Sequence, residues 1–474
     1  MRSVPRNPLI ARFLIVLPLV SASVSISAQS LAPHQQLARD IHKELVEINT
    51  VTATGDTLKA AQAMAARLKA ANFPDADVHV LSPAPRKGNL VARLRGSGAR
   101  KPILLLAHLD VVDAKPEDWS FDPFKLVEKD GYLYGRGVSD DKFMAAVFVA
   151  NLIRYKQEGF TPDRDLIVAL ETDEEILDAN AMGIQWLLKN HRDLIDAEFA
   201  LNEGGSVGLL NGKPLMNSFQ TSEKVSFSYR LEIKNPGGHS SLPTKDNAIY
   251  RLADGLARVA RFDFPMRLND TTRAQLERGA LTVPDPQTAA DMRAVAQQNP
   301  DPAAIERLSK TVRYNAIMRT TCVATLVEAG HAINALPQTA RASLNCRILP
   351  DESVEDVQKT LVRVLADDGI SVMPLGTPAL SPPSPLNPEI LSTVEKLTSE
   401  FWPGIPVIPT MLAAATDGSF LRSAGIPTYG HSGLANDVVD VRVHGKDERI
   451  PVKSFLDGQE YLYRLVKQLS SSSK

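Results

Sequence analysis

The chain has 474 residues, enough for two or three domains of ordinary size, and its 44% hydrophobic and 23% charged content is that of a folded globular protein. That composition excludes a collagen-like, coiled-coil or largely disordered chain, and two cysteines exclude both a disulfide-stapled mini-domain and a cysteine-rich zinc ribbon. With 53 Lys and Arg against 55 Asp and Glu, the formal charge of −2 offers no attraction for nucleic acid.

Arg2, Arg6 and Arg12 accompany a short apolar run over 13–20, and small residues fill 21–28. This is the layout of a secretory signal peptide over residues 1–28, cleaved just after Ala28. The run is far shorter than the ~20 residues a bilayer span needs, so no stable membrane insertion is expected. The mature chain keeps 50 basic against 55 acidic side chains and is expected to be exported, periplasmic or secreted.

Leu37, Ile41, Leu45 and Ile48 recur at three- and four-residue steps and predict helix in the segment 33–70. A second amphipathic stretch, 58–71, follows Asp56 and Thr57 as its cap. Short apolar runs at 103–107, 166–170 and 199–201 read as buried strands, with helical patterns at 142–158 and 184–190 between them. Such alternation predicts a mainly parallel sheet with helices on both faces. The character changes near residue 220: a half-exposed strand at 225–233, a helix at 248–260, a polar helical stretch at about 265–310, strands at 321–328 and 340–348, and a helix at 354–367. That order predicts a small open sheet with helices on one face. A Pro- and Ser-rich return linker at 375–388 leads to a helix at 389–401, a strand at 426–430 and a closing helix at 454–469. Ser470 to Ser473 read as a frayed tail. The expected organisation is an α/β catalytic domain, 33–221 and 377–470, interrupted by a smaller α+β domain at 222–376.

Four places put histidine or carboxylates just past a buried strand, the edge where open α/β sheets bind ligands. They are His108-Leu109-Asp110, the turn Gly135-Arg136-Gly137-Val138-Ser139-Asp140-Asp141-Lys142, Asp173-Glu174-Glu175, and Asn202-Glu203-Gly204-Gly205. Residues i and i+2 of an extended segment face the same side, so His108 and Asp110 project together. Each signal alone fits a solvated turn or a helix cap; their joint placement on one edge fits a metal site. His and carboxylates without Cys suit zinc, manganese or cobalt, and His444, just before the closing helix, is available to complete such a site.

These stretches, above all Leu104-Leu105-Leu106-Ala107-His108-Leu109-Asp110-Val111-Val112, the run from Trp119 to Phe124, and Tyr134-Gly135-Arg136-Gly137, resemble the co-catalytic zinc metallopeptidases that include carboxypeptidase S, aminoacylase, glutamate carboxypeptidase and carnosinase. The likeness covers nearly all of 35–470 and is closest to the carboxypeptidase S branch. It implies a zinc-peptidase catalytic domain carrying a ferredoxin-like lid or dimerisation domain, and two Zn²⁺ per subunit. His108 and Glu203 would hold the first ion, Glu175 and His444 the second, and Asp140 would bridge them. Glu174 would be the general base and Asp110 would orient His108. Asn235-Pro236-Gly237-Gly238-His239-Ser240-Ser241 resembles the family's lid motif, whose histidine helps hold the substrate carbonyl oxygen and reaches the partner subunit's active site in dimeric relatives. Asn334 and Arg347 match positions that look substrate-binding, Arg347 suiting a terminal carboxylate. Phe143 stands where the family commonly has Gly after its Asp-x-Lys motif, and Ile176 follows Glu175 where Gly is frequent.

The implied activity is hydrolysis of a peptide or N-acyl amide bond beside a free carboxylate, in carboxypeptidase or dipeptidase style. Aminoacylase or deacetylase action on N-acyl amino acids is the alternative. A non-catalytic, metal-loaded binding protein is disfavoured because the base and every ligand position are kept. Monomer or homodimer through the lid stays open. If the strands flanking Asn334 form a hairpin, Cys322 and Cys346 face each other, and an oxidising periplasm permits a disulfide there.

Overall fold

The computed structural model describes residues 30–176 and 182–471, so the segment 1–28 expected to be a signal peptide and the last three residues of the chain lie outside the described residues. Helices Pro33–Glu47 and Thr57–Ala70 come first, each burying one stripe, with Ala38, Ile41 and Leu45 on the first. Asp56 caps the second by accepting the Lys59 N–H at 2.8 Å.

Strands Ile103–His108 and Leu166–Glu171 are buried at every position. Ile103, Leu105 and Ala107 join one apolar core, and Leu104 and Leu106 the core on the opposite face, as period-two alternation in a doubly covered sheet requires. The ten-stranded sheet runs in the order Val78–Ala84, Lys87–Leu94, Leu166–Glu171, Ile103–His108, Phe199–Asn202, Thr428–Gly430, Lys213–Glu223, Val207–Leu210, Ala435–Asp437, with Val407–Leu412 paired to Lys213–Glu223. Its centre, from Leu166–Glu171 to Thr428–Gly430, is parallel. Helix Lys142–Gln157 lies in the larger core, where Phe143 meets Phe455 edge-on at 5.5 Å. Gly458 leaves the room for that ring, since a Cβ there would meet Phe143 Cζ at 2.9 Å.

The second sheet is antiparallel, in the order Thr321–Ala329, Thr339–Ile348, Val225–Lys234, Ile370–Leu375. Helices Ala248–Ala260 and Val354–Leu365 share its core, giving the βαββαβ order and strand arrangement of a ferredoxin-like unit. The fourth strand, Ile370–Leu375, occupies residues whose alternation is too short to stand out ahead of the Pro-rich linker. The polar helical stretch resolves into four helices, Asp270–Gly279, Pro286–Val295, Pro302–Ser309 and Val312–Met318, with a small core of their own that takes in Met411 of the main sheet. Gln275 Oε1 accepts the Met411 N–H at 3.0 Å, and Arg278 donates to the Val407 carbonyl at 3.0 Å. Cys322 and Cys346 stand opposite each other on paired strands and are disulfide-bonded.

Ser470 is not frayed: it is buried, its N–H donates to the Val466 carbonyl at 3.0 Å, and its carbonyl accepts the Asp163 N–H at 2.8 Å. The closing helix packs its last turn against the main body, and that docking holds the first serine in place. Among the described residues no helix is long and apolar enough to cross a membrane.

Candidate metal centre

His108 ends its strand at the C-terminal edge of the parallel centre. Its Nδ1–H donates to the Asp110 carbonyl at 3.0 Å, which aims Nε2 at Asp140 Oδ1, 2.9 Å away. Asp140 arrives on a turn that reverses at Gly137, where φ is +76° and a Cβ would meet Val111 Cγ1 at 2.6 Å. Glu448 fastens this turn from across the fold. It accepts the N–H of Gly137 at 3.0 Å and of Ser139 at 2.9 Å, and pairs with Arg136 at 2.9 Å. Asp141 occupies the N-cap position of the following helix without a side-chain cap hydrogen bond, and of the two adjacent acids Asp140 is the one that lies in the donor groups.

Glu174 and Glu175 leave the neighbouring strand through Asp173, whose φ is +71°. Asp173 pairs with Lys87 and accepts the Met182 N–H at 3.1 Å. The Asp110 carboxylate accepts the N–H groups of both Glu174 and Glu175, and its Oδ1 lies 3.7 Å from His108 Nδ1. Asp110 therefore orients the histidine with its carbonyl and the glutamates with its side chain. Glu203 sits on a turn that crosses the Thr428–Gly430 strand closely: a Cβ on Gly430 would strike the Glu203 carbonyl and the Gln220 side chain. His444 has φ +62°, and its Nε2 lies 3.2 Å from Asp140 Oδ2 and 3.0 Å from Glu175 Oε1.

Three donor groups result, each with its ligand atoms within 4.8 Å of one another: His108–Asp140–Glu203, Asp140–Glu175–His444 and His108–Glu174–Glu175. Their electrostatics fit a cation. Burial, then the charges of Asp140 and Glu174, push the Glu203 carboxyl well up, and burial with Asp417 and Glu175 does the same to Glu174. Burial holds Asp110 at about 6. Hydrogen bonds to Asp140 and Glu175 raise His444 to about 10, and Asp140 likewise raises His108 against the opposing effect of burial. Among the described residues no Lys or Arg forms an ion pair with Asp110, Asp140, Glu174, Glu175 or Glu203. These donors exceed the positive charge that the protein supplies to them, and oxygen and imidazole donors at this spacing suit divalent zinc, cobalt or manganese.

The other three candidates lie elsewhere. His239 and Asn334 come together on a two-stranded ribbon, where His239 pairs with Ala335 and the Ser240 N–H donates to the Asn334 carbonyl at 3.0 Å. Both are exposed. Arg347 is half-buried on the smaller sheet, opposite Thr321 and Ser226. Among the described residues no hydrogen bond or ion pair joins these three to the donor cluster.

Residues 104–468 match the model of peptidase family M20/M25/M40. The chain belongs to that family. It is a hydrolase of amide or peptide bonds. Over 385 residues this M20 chain is 27% identical to the human N-fatty-acyl-amino acid synthase/hydrolase PM20D1, covering 79% of this chain and 75% of that one. It is 27% identical to a probable carboxypeptidase S-like 2 of Dictyostelium discoideum, covering 77% and 71%. An M20 family metallo-carboxypeptidase from Sulfolobus solfataricus shares its fold with a TM-score of 0.65 at 16% identity, over 91% of this chain and 98% of that one.

Residues not singled out by their types nevertheless shape this M20 site. Glu448, Arg136, Asp173 and Gln220 each brace one of the turns that carry the donors. Glu448 had one available signal: it closes the motif His444-Gly445-Lys446-Asp447-Glu448, four residues after a candidate ligand.

Proposed function

We propose that the chain is an exported two-zinc hydrolase that cleaves a peptide or N-acyl amide bond beside a free carboxylate. The observation that carries this reading is the meeting of His108–Asp140–Glu203 and Asp140–Glu175–His444 at one shared carboxylate. His108 and Glu203 would hold one ion, Glu175 and His444 the other, and Asp140 would be shared between them; cobalt or manganese suits the same donors. When bound, such a pair polarises the scissile carbonyl and lowers the pKa of the attacking water.

Glu174 is the general base. Its carboxylate takes a proton from the water as the new C–O bond forms and gives it to the amine nitrogen as the C–N bond breaks. Asp110 fixes the backbone that presents it. Arg347 receives the substrate carboxylate as a planar bidentate partner, His239 holds the carbonyl oxygen, and Asn334 contacts the substrate. Residues 222–376 act as the domain that delivers these three. Two features support delivery from a second copy: the exposed ribbon, and the open edge strand Thr321–Ala329 with Val323, Leu326 and Val327 facing solvent. Export follows from the segment 1–28.

A second reading, hydrolysis of N-acyl amino acids, is favoured by Val439, Val441 and Val443, all exposed in the loop leading to His444. They offer an apolar rim for an acyl group, in keeping with the printed name of the human relative. Amine release from a panel of dipeptides and N-acyl amino acids, with the zinc-reconstituted mature chain, decides between the two. Glu174→Ala is expected to lose ~10²–10⁴-fold in rate. Undiminished turnover in that variant, or in protein stripped of metal, would sink both readings.

A further inference from the structure

Asp140 and His444 stand more than three hundred residues apart in sequence, and one buried ion pair ties their backbones together. Glu448 Oε1 accepts the N–H of Ser139 at 2.9 Å and of Asp140 at 3.3 Å, and Oε2 accepts that of Gly137 at 3.0 Å. The Glu448 carbonyl also accepts the Gly135 N–H at 3.1 Å. Arg136 Nη1 donates to Glu448 Oε2 at 2.9 Å, while Nη2 reaches the carbonyls of Gly445 at 3.1 Å and His444 at 3.4 Å. Glu448 is 1% exposed and Arg136 3%.

We infer that Arg136 and Glu448 are positioning residues for the second ion, setting its affinity through Asp140 and His444 without touching it. The inference rests on the two-metal reading above. The other side of the site has independent supports: His108 is aimed by the Asp110 carbonyl, and Glu203 by the crossing at Gly430. The His444 side chain is 51% exposed and holds φ +62°. Asp447 ties the same loop to Ser120 and Arg449–Pro451 pairs with Tyr132–Tyr134, but among the described residues Arg136 is the side chain that reaches the His444 carbonyl itself. Outer partners of metal ligands change affinity by about 10–100-fold when removed. A lysine at position 136 loses the planar fork that reaches both turns at once.

The test is zinc binding rather than turnover. The metal-free mature chain, Arg136→Lys, and the neutral pair Arg136→Gln with Glu448→Gln would be titrated with zinc against a chromophoric chelator, with circular dichroism recorded alongside. The neutral pair leaves no buried charge unpartnered, so the fold is expected to persist. Wild type takes up two ions; a wild type that takes up none overturns the two-metal reading itself. In both variants the Kd of the ion that His444→Ala also weakens is expected to rise about 10–100-fold, and that of the other ion, which shares only Asp140, to rise less. His444→Ala should show the same selective loss and add little to the neutral pair, because both act at one ion. Unchanged Kd values, equal loss at both ions, or full additivity with His444→Ala overturns the inference. So does loss of the folded signal in the neutral pair, which would assign the residues to global stability.

Discussion

Asp110 accepts the backbone N–H of Glu175 at 3.0 Å, across 65 residues of chain. Its other oxygen accepts that of Glu174 at 3.2 Å, so one buried carboxylate sets the direction of both glutamates. Asp110→Asn turns one acceptor into a donor facing an N–H, while leaving the carbonyl that aims His108. The expected result is a loss of about 10–100-fold in kcat with KM little changed. An unaltered kcat would show that the glutamates hold their direction without it.

Gly430 lies where the Glu203 turn crosses its strand. Gly430→Ala pushes a methyl group into the Glu203 carbonyl and Gln220, and the crossing must open. Overpacking of this kind costs about 1–3 kcal/mol. Denaturant unfolding should register that loss, and zinc titration should register weaker binding of the ion proposed for His108 and Glu203. Full stability together with full affinity would refute the crossing as a support for Glu203.

Two buried histidines away from the cluster predict a pH response. Burial lowers His42 to about 3, where it stacks 5.0 Å from Phe455, and lowers His431 to about 4. Each accepts a proton in the unfolded chain near 6.5 but resists it when folded. Their contribution is therefore complete above pH 6.5 and is lost as pH falls toward 4. The slope is about 1.4 kcal/mol per pH unit for each group within that window. His42→Gln should flatten the acid limb by about that amount when urea unfolding is compared at pH 7 and pH 5. An unchanged slope would remove His42 from the account.

The Cys322–Cys346 bridge closes a loop of sequence separation 24. Such a crosslink contributes about 3 kcal/mol by restricting the unfolded chain. The double variant Cys322→Ser with Cys346→Ser should unfold at lower denaturant, and reductant should shift the wild type but not the variant. Identical midpoints with and without reductant would contradict this.

The parallel centre and its donor-bearing ends were legible in the sequence because uniform apolar runs end abruptly in His or acid. Strand Lys213–Glu223 was not, although it lies inside the sheet. Asn217, Gln220, Thr221, Ser222 and Glu223 carry no apolar strand pattern, yet they are fully buried, and several of them hydrogen-bond within the fold. Asn217 donates to Thr398 at 2.8 Å, Gln220 to Glu223 at 2.9 Å, and Thr221 meets Thr271 at 2.7 Å. Glu448 escaped notice for a related reason: its partners are amides some 310 residues away, and residue type says nothing about them. Ligand-bearing segments are visible locally; the residues that brace them emerge only once the chain is folded.

The helices between Asp270 and Met318 add a third anchorage between the two sheets, beside the single-residue junction at Lys224 and the return segment ahead of Pro388. Gln275 grips the Val407–Leu412 strand, and the Lys224 ammonium donates to the Arg319 carbonyl at 2.6 Å. A plate pinned at three spots cannot twist freely. Any motion that carries Arg347 and the His239 ribbon relative to the larger sheet must strain at least one of these three attachments.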